Sequence, residues 1–473
     1  MNFSDRFIYT FRRLLPSPFT IAILLTVFTF LIALFFTRTA DQGVGSYALE
    51  IAGYWQEGLW NSNLMVFAMQ MMLILVLGHA LALTPAVSRV IDYFTDNYCT
   101  STGKAAFWIT FLTVMVALFN WGLGLIFGAV FARKVAESAR KKKMGLNYPL
   151  LGAAGYSGLM VWHGGFSGSS LVKVADNGHI RELMRDNSQS MTADQIAQLP
   201  EAITYTETVF GTMNLSLSFA LLLILPTAMY WLGNRLSPQP FSLPKGEGAQ
   251  TEIEEETVGA EKIDRSKWSG LLFGILFLGV AGYTAVSDPG FAELKFITPN
   301  YLNFLLLGLG LLFHRSFKSF LSAVDDAIGG AAGILIQFPL YFGIMAIMNH
   351  SGMVEQISGW FVEICKDSSS PETLYPILTF FSAGLVNIFV PSGGGQWAVQ
   401  GPIIVQAATD MGVPLTKSIM ALAYGDQITN MLQPFWALPL LGITGLKARD
   451  ILPFTLFLLV LGLVIFIGGL LIF

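Results

Sequence analysis

The chain has 473 residues, of which 53% are hydrophobic and only 12% are charged. A soluble domain of this length needs a more polar surface, so the composition indicates an all-α polytopic membrane protein. The net charge of −4 and a single short basic run argue against a nucleic-acid partner, and two cysteines argue against a disulfide framework. The lipid bilayer is therefore the first partner that we expect.

Apolar stretches long enough to cross a bilayer recur along the chain. A membrane core about 30 Å thick requires a helix of about 20 apolar residues. This rule predicts about nine full crossings, near residues 17–37, 62–83, 148–171, 207–233, 268–287, 298–314, 320–349, 416–446 and 451–473. The first stretch is too long for a signal-peptide core, so we interpret it as a membrane span.

Two further apolar stretches, 105–131 and 374–411, are interrupted by glycine-rich segments. Each could cross once or form a re-entrant hairpin of two short helices. Two hairpins place most of the 27 Lys and Arg residues in the cytoplasm, whereas a single crossing at 105–131 places most of them outside. Because cytoplasmic loops collect Lys and Arg, we predict two hairpins, a cytoplasmic N-terminus and a periplasmic C-terminus.

An internal repeat is indicated by three polar residues that recur in the same order, at spacings that agree to within one residue. These residues are Gln70, Asn120 and Tyr156 in the first half, and Gln337, Asn387 and Tyr424 in the second. Since the two hairpins enter from opposite sides, we predict inverted repeats. Inverted repeats with broken helices are typical of secondary transporters.

The predicted organisation has two repeats joined by a linker whose charge, Pro and Gly content indicates a flexible joint. In chain order the parts are an N-terminal repeat (1–236, with hairpin 105–131, broken helix 148–171 and external insertion 173–206), a cytoplasmic linker (237–267), and a C-terminal repeat (268–473, with connector helix 268–287, hairpin 374–411 and broken helix 416–446). The linker contains the acidic run at 254–256. Residues 353–366 are predicted to lie along the outer interface as an amphipathic helix.

Four breaks interrupt the predicted spans, at 120–124, 164–170, 391–396 and 425–430. Unpaired backbone groups inside a bilayer are costly unless they line a wet cavity or bind a solute. A helix that starts near Gln396 would present free N–H groups and a positive dipole end to a carboxylate. The predicted substrate-binding residues are Asn120, Gly122, Ser167, Ser392, Gly393, Gly394, Gly395, Gln396 and Trp397.

Asp426 is the one carboxylate that the pattern places deep within a span. We expect it to bind a cation or hold a proton, unless the break carries it into an aqueous vestibule. The predicted coupling residues are Asn387, Asp426, Gln427, Thr429 and Asn430. His163 could relay a proton or simply be hydrogen-bonded to a neighbour. No cofactor is predicted other than a bound Na⁺, and the residues do not choose between Na⁺ and H⁺.

The sequence contains no Walker A loop, HExxH pair or GxSxG turn, and its glycine-rich tips follow helices, so an enzyme is not predicted. Aromatic residues near the breaks could form the wall of an apolar pocket, and these are Trp121, Phe166, Trp397, Phe435 and Trp436. An anion channel is the alternative from another class. Transport of a dicarboxylate or larger carboxylate is a further alternative, against which we count the lack of a Lys or Arg predicted within the membrane.

Four segments carry a family resemblance: FNWGLGLIFGAVFAR from Phe119, GGFSGS from Gly164, FVPSGGGQWAVQGP from Phe389, and ALAYGDQITNMLQPFWALP from Ala421. In them the chain resembles the bacterial short-chain fatty acid transporters of the acetoacetate/butyrate permease type, within a wider ion-transporter superfamily. The resemblance extends over nearly the whole chain. The chain departs from it in the insertion 173–206 and at His163.

This resemblance implies a scaffold part, a mobile transport part with two hairpins, and a homodimer in the inner membrane. It also implies uptake or exchange of short monocarboxylates such as acetoacetate and butyrate. The positions that it carries over as the site are Asn120, Asn387, Ser392, Gly393, Gly394 and Asp426. We therefore expect a secondary transporter in which an elevator-like or rocking motion moves the hairpin tips and is coupled to Na⁺ or H⁺.

Overall fold

A computed structural model of the chain describes residues 16–187, 191–243, 259–291, 296–366, 368 and 370–473. Within these residues the chain is helical and contains no strand. The predicted acidic run at 254–256 lies outside the described residues. The helices are α1 (Pro18–Phe36), α2 (Val44–Leu59), α3 (Ser62–Ala82), α4 (Pro85–Tyr98), α5 (Thr102–Phe119), α6 (Trp121–Lys141), α7 (Tyr148–Tyr156), α8 (Ser169–Val174), α9 (His179–Asn187), α10 (Ala193–Gln198), α11 (Thr212–Arg235), α12 (Glu261–Arg265), α13 (Lys267–Ser287), α14 (Pro299–His314), α15 (Phe317–Ile328), α16 (Ala332–His350), α17 (Met353–Lys366), α18 (Pro371–Phe389), α19 (Gly393–Met411), α20 (Leu415–Thr429), α21 (Pro434–Thr444) and α22 (Ala448–Ile472).

Among the described residues, eight helices or helix pairs have the length and apolar composition needed to cross a membrane: α1, α3, α5, α11, α13, α15 with α16, α18 and α22. This confirms the predicted all-α polytopic fold. The set includes α5 and α18, the first arms of the two predicted hairpins, so their re-entrant character stays a prediction. The predicted span at 320–349 starts earlier and is divided by a 3₁₀ turn at Gly329–Ala331.

Both predicted hairpins consist of two helices that meet at a short break. Helix α5 ends one residue before Asn120 and α6 starts one residue after it, while α18 and α19 are separated by residues 390–392. The side chains of Asn120 and Ser392 cap the second arms, because each accepts a hydrogen bond from a backbone N–H three residues later, at 3.0 Å and 3.2 Å. The helices therefore resume at Trp121 and Gly393, earlier than predicted.

The two broken helices are interrupted at different distances from their starts. The first passes from α7 through 3₁₀ turns at Ser157–Met160 and Trp162–Gly164 into α8. The second stays helical through the predicted break at 425–430 as far as Thr429, and α21 then starts at Pro434. Gly425 serves close packing there and not a turn, since a Cβ atom would lie 2.1 Å from the carbonyl oxygen of Phe380.

The order of elements is the same in both halves. A long helix, a 14-residue amphipathic helix, a hairpin, a broken helix and a final long helix occur as α3–α8 with α11, and again as α16–α22. The polar residues that indicated the repeat do not occupy equivalent positions in this order of elements. Asn120 caps a hairpin arm, whereas Asn387 lies inside α18 and Ser392 holds the capping place. The inverted relation of the two halves stays a prediction.

Helices α6 and α7 cross with their backbones almost in contact. A Cβ atom at Gly128 would lie 2.1 Å from the carbonyl oxygen of Gly155, and one at Gly155 would lie 2.5 Å from that of Gly128. Only glycine fits at either position, since a real side chain would displace a backbone. The second arm of the first hairpin is therefore packed directly against the first part of the broken helix.

Candidate functional site

A cavity of about 340 Å³ lies where the two hairpin tips meet the first broken helix. Six of the predicted substrate-binding residues line it, namely Asn120, Gly122, Ser167, Ser392, Gly393 and Gly394. The hydroxyl oxygen of Ser167 accepts a hydrogen bond of 3.0 Å from the backbone N–H of Trp121, which fastens the broken helix to the first tip. The sequence motifs thus identify the segments that come together here.

The second tip contributes unpaired backbone N–H groups beside this cavity. Ser392 caps α19 by accepting from the N–H of Gly395, while the N–H groups of Gly393 and Gly394 form no hydrogen bond within the described chain. Free N–H groups at the start of a helix and its positive dipole end attract anions. A Cβ atom at Gly394 would meet nothing within 4 Å, so a solute has room at this position.

Lys173 is a cavity residue that the sequence reasoning missed. It lies in α8, lines the cavity with an exposed side chain, and forms no ion pair with any described residue. The cavity lining thus includes a cationic side chain that the sequence analysis did not assign to the site. The sequence reasoning assigned Lys173 to the external insertion, but the helix resumes at Ser169 and includes Lys173 in its last turn.

A second basic side chain, Arg133 of α6, is only 11% exposed. It donates to the carbonyl oxygen of Ile443 at 3.0 Å, contacts His79 at 3.1 Å, and pairs with Glu137 at 3.0 Å. These protein partners occupy its guanidinium group. Arg133 is not among the residues that line the cavity, so its role is to join α6 to α3 and α21.

Aromatic rings form an apolar part of the cavity wall. The lining rings are Phe67, Trp121, Trp162, Phe166 and Trp436. Trp121 and Trp436 pack edge to face with ring centroids 4.9 Å apart. The two other rings of the predicted wall lie elsewhere, since Phe435 stacks against Phe338 at 4.1 Å and Trp397 points towards the insertion.

Three predicted substrate-binding residues, Gly395, Gln396 and Trp397, do not line the cavity. Because α19 starts at Gly393, their positions belong to its first turns, and the side chains of Gln396 and Trp397 are buried against other helices. Gln396 donates to the carbonyl oxygen of Ala383 at 2.9 Å. The indole N–H of Trp397 donates to the imidazole Nε2 of His179 at 3.0 Å. The insertion therefore packs on the second hairpin.

His163 and Asp426 form a buried pair beside the cavity. The Nδ1 atom of His163 forms a hydrogen bond with Oδ2 of Asp426, and their side chains are 0% and 1% exposed. The backbone N–H of Ser170 lies 3.1 Å from Nε2 of the ring and can only donate, so Nε2 is the acceptor and the ring proton is on Nδ1. Asp426 is thus buried and paired, and not exposed to an aqueous vestibule.

The other predicted coupling residues surround this pair. The side-chain oxygen of Gln427 accepts from the backbone N–H of His163 at 2.9 Å. The side-chain amide nitrogen of Asn387 lies 2.7 Å from the carbonyl oxygen of Asp426, 3.0 Å from Oγ1 of Thr429 and 3.1 Å from Oδ1 of Asn430. The residues named for coupling are therefore one contiguous network across the start of the second break.

Metal-binding chemistry of the His, Cys, Asp and Glu type is not found in the described residues, since no three such side chains are grouped to hold an ion. Na⁺ would instead use neutral oxygens. The oxygen atoms Asn387 Oδ1 and Asp426 Oδ1 are both buried and have no hydrogen-bond partner in the described chain. These two atoms mark where the network still has capacity for a cation or a proton.

An all-helical, multi-pass membrane fold with paired breaks around a central cavity defines the class of membrane transporters. The chain belongs to the short-chain fatty acid transporter family, because the family model described as "Short chain fatty acid transporter" matches residues 1–473. The family is one of transporters and not of enzymes. The resemblance found in the sequence segments is thereby confirmed.

Two bacterial proteins are similar to this chain over nearly the full length of both partners in each comparison. A protein of Escherichia coli strain K12, provisionally named a short-chain fatty acid transporter, is 36% identical over 478 residues, covering 100% of this chain and 99% of its own. A protein of Haemophilus influenzae strain Rd with the same provisional name is 34% identical, covering 98% of each chain.

Two solved structures are more distantly similar. Neisseria gonorrhoeae MtrF, from a class of antimetabolite efflux pumps, has a TM-score of 0.42 at 13% identity and covers 98% of this chain and 97% of its own. The Alcanivorax borkumensis YdaH transporter has a TM-score of 0.43 at 13% identity and covers 97% of each. At this level neither similarity bears on substrate or mechanism.

Proposed function

We propose that the protein is a secondary active transporter that carries short-chain monocarboxylates, such as butyrate and acetoacetate, in symport with Na⁺ or H⁺. The observation that supports this best is the cavity between the two tips, with its polar end and its aromatic wall. In this proposal the carboxylate accepts hydrogen bonds from the N–H groups of Gly393 and Gly394 and from Lys173. The short alkyl chain then packs against Trp121 and Trp436.

The size and charge of the cavity favour a small monoanion. Ligand pockets have volumes of about 300–1,000 Å³, and the 340 Å³ of this cavity is near the lower limit. Among the residues that the structure describes, Lys173 is the one cationic side chain of the lining, and it matches a single carboxylate. A second carboxylate on the solute would meet the aromatic wall without a counter-charge, which is unfavourable for a desolvated ion.

We further propose the setting in which this transport takes place. The protein acts as a homodimer in the bacterial inner membrane, with its N-terminus in the cytoplasm and its C-terminus in the periplasm, and two re-entrant hairpins carry the solute between the two faces. Charge bias in the loops supports the orientation. Labelling of single cysteines by a membrane-impermeant reagent in intact cells tests it, and cross-linking in the membrane tests the dimer.

Uptake into proteoliposomes tests the central proposal. Radiolabelled acetoacetate is offered under a Na⁺ gradient or a proton gradient, applied separately, and unlabelled acids of increasing chain length are added as competitors. We expect saturable uptake driven by one of the two gradients and inhibited by butyrate. Protein-free vesicles are the control, because neutral butyric acid crosses bilayers unaided. Conduction that does not saturate would instead indicate a channel, and inhibition by dicarboxylates alone would indicate the larger substrate.

A further inference from the structure

We propose that His163 and Asp426 form a proton-binding site that makes transport proton-coupled, and that the second hairpin tip responds to its protonation through contact at Gly393. This inference rests on the function proposed above and adds to it the coupling ion and the path of coupling. Three features of the buried pair support it. They are the single tautomer of His163, the Oδ1 atom of Asp426 that has no partner in the described chain, and the contact between the second hairpin tip and the imidazole ring.

The tautomer determines where an added proton goes. The backbone N–H of Ser170 donates a hydrogen bond to Nε2 of His163, and the Ser170 hydroxyl oxygen lies 2.8 Å from the same nitrogen. The Nδ1–H group points to Oδ2 of Asp426. Protonation of Nε2 would break the bond from the Ser170 N–H, whereas Oδ1 of Asp426 is buried without a partner in the described chain. The added proton therefore binds to Oδ1, and the pair becomes neutral.

The second hairpin tip lies directly on this pair. A Cβ atom at Gly393 would lie 2.8 Å from Cε1 of His163, 3.0 Å from the ring of Trp162 and 3.3 Å from Cβ of Ser169. The backbone of the tip is thus separated from the imidazole ring by no other residue. The same Gly393 contributes to the cavity lining, so the proton site and the substrate site share this residue.

The sign of the coupling follows from like charges. When Asp426 is ionised, a negative charge lies beneath the tip and repels the carboxylate of a substrate, and the low dielectric of the interior strengthens this repulsion. Protonation removes that charge, so it raises substrate affinity. By linkage, substrate binding raises proton affinity to the same extent. The two ligands are therefore bound and released together, which is the requirement for symport.

The groups that face the pair favour a proton over Na⁺. Within the described chain no Lys or Arg forms an ion pair with either residue; the Ser170 hydroxyl is the other protic group in contact, and Lys173 follows one turn later on α8. Asn387 directs its amide nitrogen, and not its oxygen, towards the backbone carbonyl oxygen of Asp426, Oγ1 of Thr429 and Oδ1 of Asn430. A Na⁺ ion at these oxygens would lie against the N–H donors of Asn387, whereas a proton on Oδ1 of Asp426 displaces no partner in the described chain.

Binding of labelled acetoacetate to the purified protein in Na⁺-free detergent buffer, over roughly pH 5.5 to 8.5, tests this proposal. We expect the wild-type affinity to fall at least about tenfold as the pH rises, because the substrate and the proton are bound together. Asp426→Asn mimics the protonated acid, so its affinity should stay constant across this range and proteoliposomes containing it should not accumulate acetoacetate in response to a proton gradient. Asp326→Asn, which replaces an exposed carboxylate of α15, is the matched control and should behave as wild type.

A measurement on the wild-type protein alone tests the same proposal even if a variant fails to fold. Addition of acetoacetate to the protein in weakly buffered detergent solution should raise the pH reported by a dye, since about one proton is taken up per substrate bound. Binding that is indifferent to pH, or uptake driven by Na⁺ at equal pH and not by a proton gradient, would overturn the proton site while leaving carboxylate transport intact. Absence of saturable uptake under either gradient would tell against the proposed function itself.

Discussion

Replacing Lys173 with glutamine tests which end of the cavity holds the carboxylate. The substitution keeps a polar side chain, one atom shorter, but removes the one cationic group that the described residues contribute to the lining. A hydrogen bond to a charged group contributes about 1.5–3 kcal/mol when it is shielded from water. Since Lys173 is exposed, solvent screening reduces this contribution to about 1 kcal/mol, which corresponds to an increase in KM of about fivefold.

Initial rates of acetoacetate uptake into proteoliposomes measure this effect. Lys173→Arg keeps the charge and should leave KM within about twofold of wild type. Lys104→Gln removes an exposed lysine of α5 that is not part of the lining and should change nothing. If Lys173→Gln binds acetoacetate as tightly as wild type, the carboxylate does not lie at this end of the cavity, and the proposed orientation of the substrate is wrong.

Three further predictions concern the wall, the first break and the insertion. Trp436→Ala should shift inhibition of uptake towards longer acids, so that hexanoate gains at least about fourfold over butyrate, because each methylene that finds apolar contact contributes about 0.8 kcal/mol. Gly165→Ala should lower the thermal stability of the protein in detergent by about 1–3 kcal/mol, since its Cβ would lie 2.2 Å from a backbone oxygen, whereas Gly279→Ala meets nothing within 4 Å and should not. Burial lowers the pKa of His179. The stability that its hydrogen bond with Trp397 contributes should therefore be complete above the ordinary histidine pKa and decrease as the pH falls below it. Melting curves of His179→Gln, which keeps a hydrogen-bond acceptor at every pH, should respond less to acid.

The span pattern and the breaks could be predicted from the sequence because they depend on composition and on glycine. Runs of about 20 apolar residues identify membrane helices regardless of their neighbours. Asn120 and Ser392 fall at helix starts, where a side-chain oxygen can cap the free N–H groups. These local signals located both hairpin tips and the segment around Asp426.

Tertiary contacts determine what the local signals missed. Gly425 looked like a helix break, but its missing side chain serves the close approach of α20 to the backbone at Phe380. The pairing of His163 with Asp426 joins residues that are far apart in the chain, and no local sequence pattern predicts it. Lys173 is the first residue of the segment 173–206, which its polar composition predicted to be an external insertion. Its place at the cavity follows from where α8 starts.

The backbone contact between Gly128 and Gly155 has a practical consequence for spectroscopy. Two helices that touch along their main chains can neither slide nor rotate past each other without a clash. The separation of α6 and α7 should therefore stay constant whichever side of the membrane the cavity faces. Since every residue of α7 is buried, a spin label at the exposed Lys141 at the end of α6 can represent both helices, and displacements of α19 in the working transporter can be measured from it.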